Sequence, residues 1–177
     1  MNQGKNKTLG KKAVFFDRDG VLNKDFGYVY KTKDLEWING AKESIKMLKN
    51  LGYLIIVVTN QSGVHRGFYS ENDVKKFHEF MNVELKNDVS VLIDDFFFAT
   101  DNPNVKENST TRRKPNPKMI FEAFKKYNID KDQSFLVGDK ETDILAAKNA
   151  GIRGFLFNGN NLLYFVKNIL KTQKSFK

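Results

Sequence analysis

Short apolar segments alternate along this chain with longer segments of helical periodicity. This alternation is typical of βαβ units, which build a mainly parallel sheet with helices on both faces. Each apolar segment has four to six residues and is rich in Val, Ile, Leu or Phe, as expected for strands buried on both faces. The predicted strands are Ala13–Phe16, Leu54–Thr59, Asp95–Ala99, Ser134–Gly138 and Gly154–Phe157. The sequence therefore predicts an α/β fold, a Rossmann-like three-layer α/β/α sandwich with a mainly parallel central sheet.

The helical segments between these strands begin and end at residues that favour helix termini. Ser70 is expected to cap a helix, with Asp73 three residues later as in a capping box. Pro117 suits the start of another helix, and Gly52 and Gly151 stand where helices are expected to stop. The remaining predicted helices are Ala41–Leu51, Glu141–Asn149 and Leu162–Leu170.

The composition limits the kinds of protein and site that are compatible with the sequence. The 177 residues are enough for one domain, residues 1–177, that buries about 70% of its unfolded surface without a disulfide or structural metal. Cysteine is absent, so disulfides, thiol chemistry and cysteine-ligated metal sites are excluded. No apolar run approaches the roughly 18 residues of a membrane span. We expect a cytoplasmic protein with no membrane partner, whose end segments, about 1–11 and 172–177, are flexible.

Acidic and hydroxyl side chains stand at the ends of three predicted strands. Asp17 and Asp19 follow the first strand, Thr59 ends the second, and Asp139 follows the fourth, with Asp143 one helical turn later. Ligands of open parallel sheets bind beyond the carboxyl ends of the strands. Each aspartate alone could be an ordinary turn or cap residue. Together, the carboxylates of Asp17, Asp139 and Asp143, with the Asp19 backbone nearby, indicate an oxygen-rich site suited to Mg²⁺.

Four short motifs at these strand ends resemble those of the haloacid-dehalogenase-like phosphatase superfamily. They are matched in order by Asp17-Arg18-Asp19-Gly20, Thr59-Asn60, Lys114-Pro115 and Gly138-Asp139 through Asp143. The resemblance implies that Asp17 is a nucleophile that forms an aspartyl-phosphate, and that Asp19 is the general acid and base. A neighbouring carboxylate is expected to keep Asp19 protonated for the first step. Thr59 and Lys114 would contact the phosphoryl oxygens beside the bound Mg²⁺.

Further segments are similar to the D,D-heptose 1,7-bisphosphate phosphatase family. They are residues 25–30, 35–40, 59–67, 113–115 and 138–140. The resemblance implies a protein without a large cap domain, in which short loops shape the pocket for a small-molecule sugar bisphosphate. We expect a monomer. The implied reaction removes the C7 phosphate of a heptose 1,7-bisphosphate, on the route to surface-polysaccharide sugars. Arg113 is the leading candidate for holding the second phosphate, and the other candidate substrate-binding residues are Asn60, Gln61, Arg66 and Lys140.

The chain departs from that family in the loop Thr100–Asn116. The family carries a structural zinc site there, but the matching positions hold Ala99, Asp101, Thr110 and Arg112, none of which is a thiolate. We therefore expect no zinc. The loop is expected to be held by its own hydrogen bonds and Pro103, or to be mobile.

Other functions fit parts of the sequence. Histidinol-phosphate phosphatases are near relatives of the resembled family. A nucleic-acid 3′-phosphatase would suit the net charge of +9, which attracts anions without selecting among them. Aromatic and basic residues are not interleaved near the motifs, so we expect no nucleic-acid partner. A nucleotide-binding module is disfavoured, because Lys11 is followed by Lys12 where a phosphate-binding loop requires Ser or Thr. A silent scaffold is disfavoured because no catalytic position of the resembled motifs is substituted.

Overall fold

The computed structural model of the chain describes residues 10–104 and 111–174, with side chains to residue 172. The strands are β1 Ala13–Phe16, β2 Leu54–Asn60, β3 Asp95–Ala99, β4 Phe135–Gly138 and β5 Arg153–Leu156. The helices are α1 Ala41–Asn50, α2 Ser62–His65, α3 Glu71–Val89, α4 Lys118–Tyr127, α5 Glu141–Ala150 and α6 Leu162–Lys174. A 3₁₀ turn covers Thr32–Asp34. Thr110, from the predicted zinc-free loop, lies outside the described residues.

The five strands form one parallel sheet in the order β3-β2-β1-β4-β5. Alternate side chains of β1 enter two separate cores, because successive residues of a strand point to opposite faces. Val14 and Phe16 pack in the core under α1, α3 and α6, whereas Ala13 and Phe15 pack in the core under α4 and α5. The predicted three-layer α/β/α sandwich is confirmed.

The strand order places the candidate site at a break in the winding of the sheet. From β1 the chain runs outward through β2 and β3, and it then returns to add β4 and β5 on the other side of β1. The crevice between β1 and β4 is therefore a topological switch point, where ligands of such sheets bind. Asp17 follows β1 and Asp139 follows β4 at this crevice.

Helix ends follow the sequence closely. The Ser70 side chain accepts a hydrogen bond from the Asp73 N–H at 3.2 Å, and Asp73 Oδ2 accepts from the Ser70 N–H at 2.8 Å, so the predicted capping box is present. Such a cap stabilises a helix by about 1 kcal/mol. Two short elements were not predicted, the 3₁₀ turn and α2, since each is too brief to show a period.

The ends of the described chain carry regular structure. The Lys11 N–H donates to the Asn128 carbonyl at 2.9 Å, and α6 continues to Lys174. The parts of the predicted flexible ends that are described, residues 10–11 and 172–174, are therefore held by hydrogen bonds; the rest of both ends lies outside the described residues. Among the helices of the described chain, none combines the length and hydropathy that a bilayer crossing requires.

Candidate active site

Asp17 occupies the first position after β1 and is 6% exposed. Its N–H donates to the Val137 carbonyl at 2.9 Å, which continues the ladder between β1 and β4 past the end of the strand. Its Oδ1 accepts from the Arg18 N–H at 2.8 Å and lies 2.9 Å from Lys114 Nζ. Both donors act on the same oxygen, so the orientation of the carboxylate is fixed.

Lys114 reaches this carboxylate from the loop that precedes α4. Its Nζ lies 2.7 Å from the Val58 carbonyl, 2.9 Å from Asp17 Oδ1 and 2.6 Å from Asp143 Oδ1. Burial alone would lower the pKa of Lys114, but the charges of Asp17 and Asp143 outweigh it and raise that pKa above its ordinary value. Three acceptors match the three hydrogens of an ammonium group. Lys114 therefore neutralises the buried acids in this state, and a phosphoryl oxygen would have to replace one of its acceptors.

The predicted cluster of acids is assembled. One carboxylate oxygen from each of Asp17, Asp139 and Asp143 lies within 4.8 Å of the others. Burial, and then the charge of Asp17, raise the pKa of Asp139 to about 6. Asp139 Oδ1 is buried and has no hydrogen-bond partner among the described residues. Close backbone packing holds the cluster: Gly20 has a φ of 87°, and a Cβ there would lie 2.3 Å from Asp139 Oδ2.

This donor set fits Mg²⁺. All the converging ligand atoms are carboxylate oxygens, which hard divalent cations prefer. The three acids lie close together, and one of their oxygens, Asp139 Oδ1, is the buried atom without a partner. The cluster therefore needs a positive charge in addition to Lys114. The carboxylate of Asp19, also predicted near the metal, is not one of the three that converge in the described structure. Its expected contribution through the backbone stays a prediction.

The carboxylate of Asp19 is surrounded by hydrogen-bond donors. Its oxygens accept hydrogen bonds from the Arg18 guanidinium at 2.8–3.1 Å, from Asn23 Nδ2 at 2.9 Å and from Gln61 Nε2 at 2.9 Å. Its hydrogen-bond partners are therefore a cation and two amides, and the expected effect of a neighbouring carboxylate on Asp19 stays a prediction. The side chain is 15% exposed and lines the cavity described below.

Arg18 contacts Asp19 in a way that the sequence alone did not predict. It is fully buried, and its guanidinium also donates to the Val29 carbonyl at 2.5 Å. The guanidinium carbon lies 4.6 Å from the centre of the Phe77 ring, and NH1 is 3.4 Å from His78 Nε2. A buried guanidinium requires such partners. The signal in the sequence was a charged residue directly after a buried strand, between the two aspartates.

Thr59 and Asn60, at the end of β2, form different kinds of hydrogen bond. Thr59 Oγ1 accepts from Gln61 Nε2 at 3.0 Å, which leaves the hydroxyl proton of Thr59 for another acceptor. Asn60 uses its amide on the backbone of Lys114: Nδ2 donates to the carbonyl at 3.1 Å, and Oδ1 accepts from the N–H at 2.9 Å. Asn60 therefore positions Lys114. Its predicted contact with substrate is restricted to the one amide hydrogen that this pairing does not use.

Gln61, a predicted substrate-binding residue, lines the cavity described below, but its side-chain amide is already paired with neighbouring residues. It is 2% exposed, and its Nε2 hydrogens are directed to Asp19 and Thr59. Its Oε1 accepts from the Tyr69 hydroxyl at 2.8 Å. An amide paired in this way positions its neighbours, and the predicted contact of Gln61 with substrate stays a prediction.

A cavity of about 400 Å³ opens above the acids. Arg113 and Lys140 line it, together with Asp25. Arg113 NH1 is buried without a hydrogen-bond partner in the described residues. Lys140 Nζ lies 3.3 Å from Asp25 Oδ2 and 3.7 Å from Asp139 Oδ2, so it bridges the two acids at the rim. Arg66 is exposed and is not among the residues that line the cavity, so its predicted substrate contact is not supported.

The candidate zinc positions are used differently. Arg112 forms a two-pronged ion pair with Glu122 of α4, at 2.7 and 3.2 Å, and donates to the Phe98 carbonyl at 2.9 Å. Its N–H donates to Asp101 Oδ1 at 3.2 Å. Arg112 therefore anchors the described end of the loop to α4 and β3, and only its bond to Asp101 lies within the loop itself. Ala99 ends β3.

Comparisons with known proteins identify relatives of this chain. A family model described as HAD-hydrolase-like matches residues 111–161. The chain is 42% identical over 148 residues to the D-glycero-beta-D-manno-heptose-1,7-bisphosphate 7-phosphatase of Haemophilus ducreyi, covering 82% of this chain and 81% of that protein. It is 43% identical over 145 residues to the D-glycero-alpha-D-manno-heptose-1,7-bisphosphate 7-phosphatase of Photorhabdus laumondii, covering 80% and 79% respectively.

The same fold is found in a solved structure. The crystal structure of D,D-heptose 1,7-bisphosphate phosphatase from B. bronchiseptica, complexed with magnesium and phosphate, matches with a TM-score of 0.79 at 24% identity. The match covers 91% of this chain and 99% of that one. From the sequence relatives together with the fold, the chain belongs to the haloacid-dehalogenase-like phosphatase family that includes the heptose-1,7-bisphosphate 7-phosphatases.

Proposed function

We propose that this phosphatase removes the C7 phosphate of a D-glycero-D-manno-heptose 1,7-bisphosphate through a phosphorylated Asp17. The observation that carries the proposal is the convergence of Asp17, Lys114, Asp139 and Asp143 beneath one cavity. A fixed, buried carboxylate surrounded by groups that neutralise negative charge is suited to attack on a phosphate. The relatives named above act on the beta or the alpha anomer, so the anomer is a question for the assay.

In the first step, a carboxylate oxygen of Asp17 attacks phosphorus, and the bond between phosphorus and the C7 oxygen breaks. Asp19 gives its proton to that oxygen, so the sugar leaves as an alcohol. That Asp19 lines the same cavity as Asp17 supports this role. Thr59 directs its hydroxyl proton to a phosphoryl oxygen, because Gln61 already donates to Thr59 Oγ1.

In the second step, water attacks the phosphorus of the acyl phosphate, and the bond to Asp17 breaks. Asp19 takes a proton from this water, and inorganic phosphate leaves. Asp17 and Asp19 thereby return to their initial states. Lys114 stays charged through both steps because its pKa is raised, so it offsets the negative charge that the substrate adds to the acids.

Asp17, Asp139 and Asp143 would hold Mg²⁺, whose positive charge when bound lessens the repulsion between an anionic carboxylate and an anionic phosphate. The fit described above, with an unpartnered buried oxygen on Asp139, supports this assignment.

Arg113 is the proposed ligand of the second phosphate. Its NH1 is buried in the cavity wall and lacks a partner among the described residues, and an unpaired buried donor is costly. Burial lowers the pKa of Arg113, and Asp101 opposes that shift, but a guanidinium stays charged at neutral pH. A phosphate oxygen would satisfy this donor. Lys140 offers a second, more exposed cation at the rim.

A phosphate-release assay tests the proposal. Purified protein with Mg²⁺ would be given both anomers of heptose 1,7-bisphosphate, histidinol phosphate and a 3′-phosphorylated oligonucleotide, with Asp17→Asn as the blank. We expect the highest kcat/KM for a heptose bisphosphate. Comparable rates with histidinol phosphate or the oligonucleotide would overturn the substrate assignment, and release from none of them would overturn the proposal as a whole.

A further inference from the structure

The buried amide of Gln61 links two groups of the site. Its Nε2 donates to Asp19 Oδ2 at 2.9 Å and to Thr59 Oγ1 at 3.0 Å. The orientation of the amide determines whether Asp19 and Thr59 face its NH₂ group or its carbonyl oxygen. If the amide were turned by half a rotation, Oε1 would face the carboxylate of Asp19, and two acceptors would then repel each other.

Tyr69 fixes that orientation. Its hydroxyl donates to Gln61 Oε1 at 2.8 Å, so the oxygen of the amide is held on the side away from Asp19. Burial raises the pKa of Tyr69 to about 12, so the phenol keeps the proton that it donates. A hydroxyl can also act as an acceptor, but here the two Nε2 hydrogens are already committed to other groups.

The ring of Tyr69 is itself held on two sides. It stacks on Tyr30, with the ring centroids 4.6 Å apart and an angle of 20° between the planes. It also lies over Gly63, where a Cβ would come within 2.2 Å of the ring. Tyr69 is 8% exposed. The phenol therefore has one well-defined position, which is what an orienting donor requires.

We propose that Tyr69 is a positioning residue that acts through Gln61 to orient the carboxyl group of Asp19 and the hydroxyl group of Thr59. This inference rests on the proposed function, in which Asp19 protonates the leaving oxygen. Its consequence is specific to the leaving group. An alkoxide, as released from a sugar phosphate, needs the proton from Asp19, whereas a nitrophenolate leaves without one.

The test compares Tyr69→Phe with wild-type protein on heptose 1,7-bisphosphate and on p-nitrophenyl phosphate. Because one orienting hydrogen bond is lost, we expect kcat for the sugar phosphate to fall on the order of tenfold. The fall with the aryl phosphate should be several times smaller. Equal falls with both substrates, or no fall, would overturn the inference.

Tyr30→Phe is the matched control, since it removes a hydroxyl from the other ring of the same stack. Its kcat should stay at the wild-type value for both substrates. A loss in Tyr30→Phe that equals the loss in Tyr69→Phe would mean that general packing is responsible, and it would overturn the inference.

A double-mutant cycle tests whether Tyr69 acts through Gln61. Gln61→Met removes the amide at similar size, so adding Tyr69→Phe should cause no further loss on the sugar phosphate. Additive losses would overturn the inference. If Tyr69→Phe failed to fold, Gln61→Met alone would still have to show the leaving-group dependence. A wild-type protein that releases phosphate from neither substrate would instead refute the proposed function.

Discussion

The Nζ atom of Lys114 lies 2.9 Å from Oδ1 of Asp17, and both side chains are almost fully buried. The contact joins the loop before α4 to the end of β1, and therefore two distant parts of the sequence. Attraction between opposite charges is stronger where water is excluded. The assembly of the acidic cluster therefore depends on this lysine, and its removal should affect stability as well as activity.

Replacing Lys114 by Met should lower the free energy of unfolding by about 3–5 kcal/mol in the absence of divalent ions, because two buried carboxylates lose their cation. Mg²⁺ should restore part of the loss. Urea unfolding of wild type and Lys114→Met, with chelator or with MgCl₂, measures both effects.

Lys126→Met provides the control for Lys114→Met. The ammonium of Lys126 pairs with Asp95 at 2.7 Å, but its side chain is 57% exposed. Exposed pairs contribute about 1 kcal/mol or less. Equal destabilisation by the two variants would contradict the view that the buried pair organises the site.

His78 should make the protein sensitive to mild acid. Burial, and then the charge of Arg18, lower the pKa of His78 well below 6.5. The unfolded chain then binds a proton at a pH where the folded chain does not, so unfolding becomes more favourable as the pH falls below about 6.5. The charged residues that line the cavity beside His78 are Lys75, Glu79 and Asp95.

The acid sensitivity can be measured by urea unfolding between neutral and mildly acidic pH. Because His78→Gln removes this contribution, the unfolding free energy of wild type relative to that of His78→Gln should fall as the pH is lowered through this range. Parallel curves for the two proteins would show that another group is responsible for the loss.

Arg113 should distinguish bisphosphates from monophosphates. Replacing it by Met should raise KM for heptose 1,7-bisphosphate by about 10- to 100-fold, the effect of losing a hydrogen bond from a charged donor. KM for heptose 7-phosphate should hardly change. Arg66→Met, which removes an exposed arginine outside the cavity wall, should have a smaller effect on either substrate. If Arg113→Met raised KM equally for the bisphosphate and the monophosphate, this result would argue against a second phosphate site at Arg113.

The loop before α4 should be independent of zinc. Arg112 and Glu122 anchor it by two hydrogen bonds, so a zinc-selective chelator should leave the unfolding midpoint unchanged. Glu122→Gln should lower the free energy of unfolding by about 1 kcal/mol. Stoichiometric zinc in the purified protein, measured by elemental analysis, would contradict this description of the loop.

The sequence was sufficient for the fold because its signals are local. Apolar segments of strand length and the Ser70 cap depend on neighbours in the chain, and β1 and β3 have the predicted bounds. The strands β2 and β4 differ from the prediction by one residue at one end, and β5 differs by one residue at each end. The last residue of a strand is determined by hydrogen bonds between strands rather than by hydrophobicity, so a prediction from hydrophobicity can miss it by one residue.

The acids of the site were predictable because the carboxyl ends of parallel strands meet at one edge. The roles of Gln61 and Arg18 were not. Whether an amide faces a ligand or a neighbouring side chain depends on contacts with residues far along the chain, as the hydrogen bond from Tyr69 shows. The hydrogen-bond partners of Asp19 could not be predicted for the same reason: Asp17 and Asp143 pair with Lys114, and Arg18 pairs with Asp19.

The most direct test of the central claim is to trap the phosphorylated enzyme. Wild-type protein, Asp17→Asn and Asp19→Asn would be mixed with heptose 1,7-bisphosphate and Mg²⁺, quenched in acid and digested for mass spectrometry. We predict one added phosphoryl group on Asp17 in wild type, and none in Asp17→Asn, whose turnover should fall by roughly 10⁴-fold or more. A phosphoryl group on another residue, or Asp17→Asn with wild-type turnover, would contradict the account.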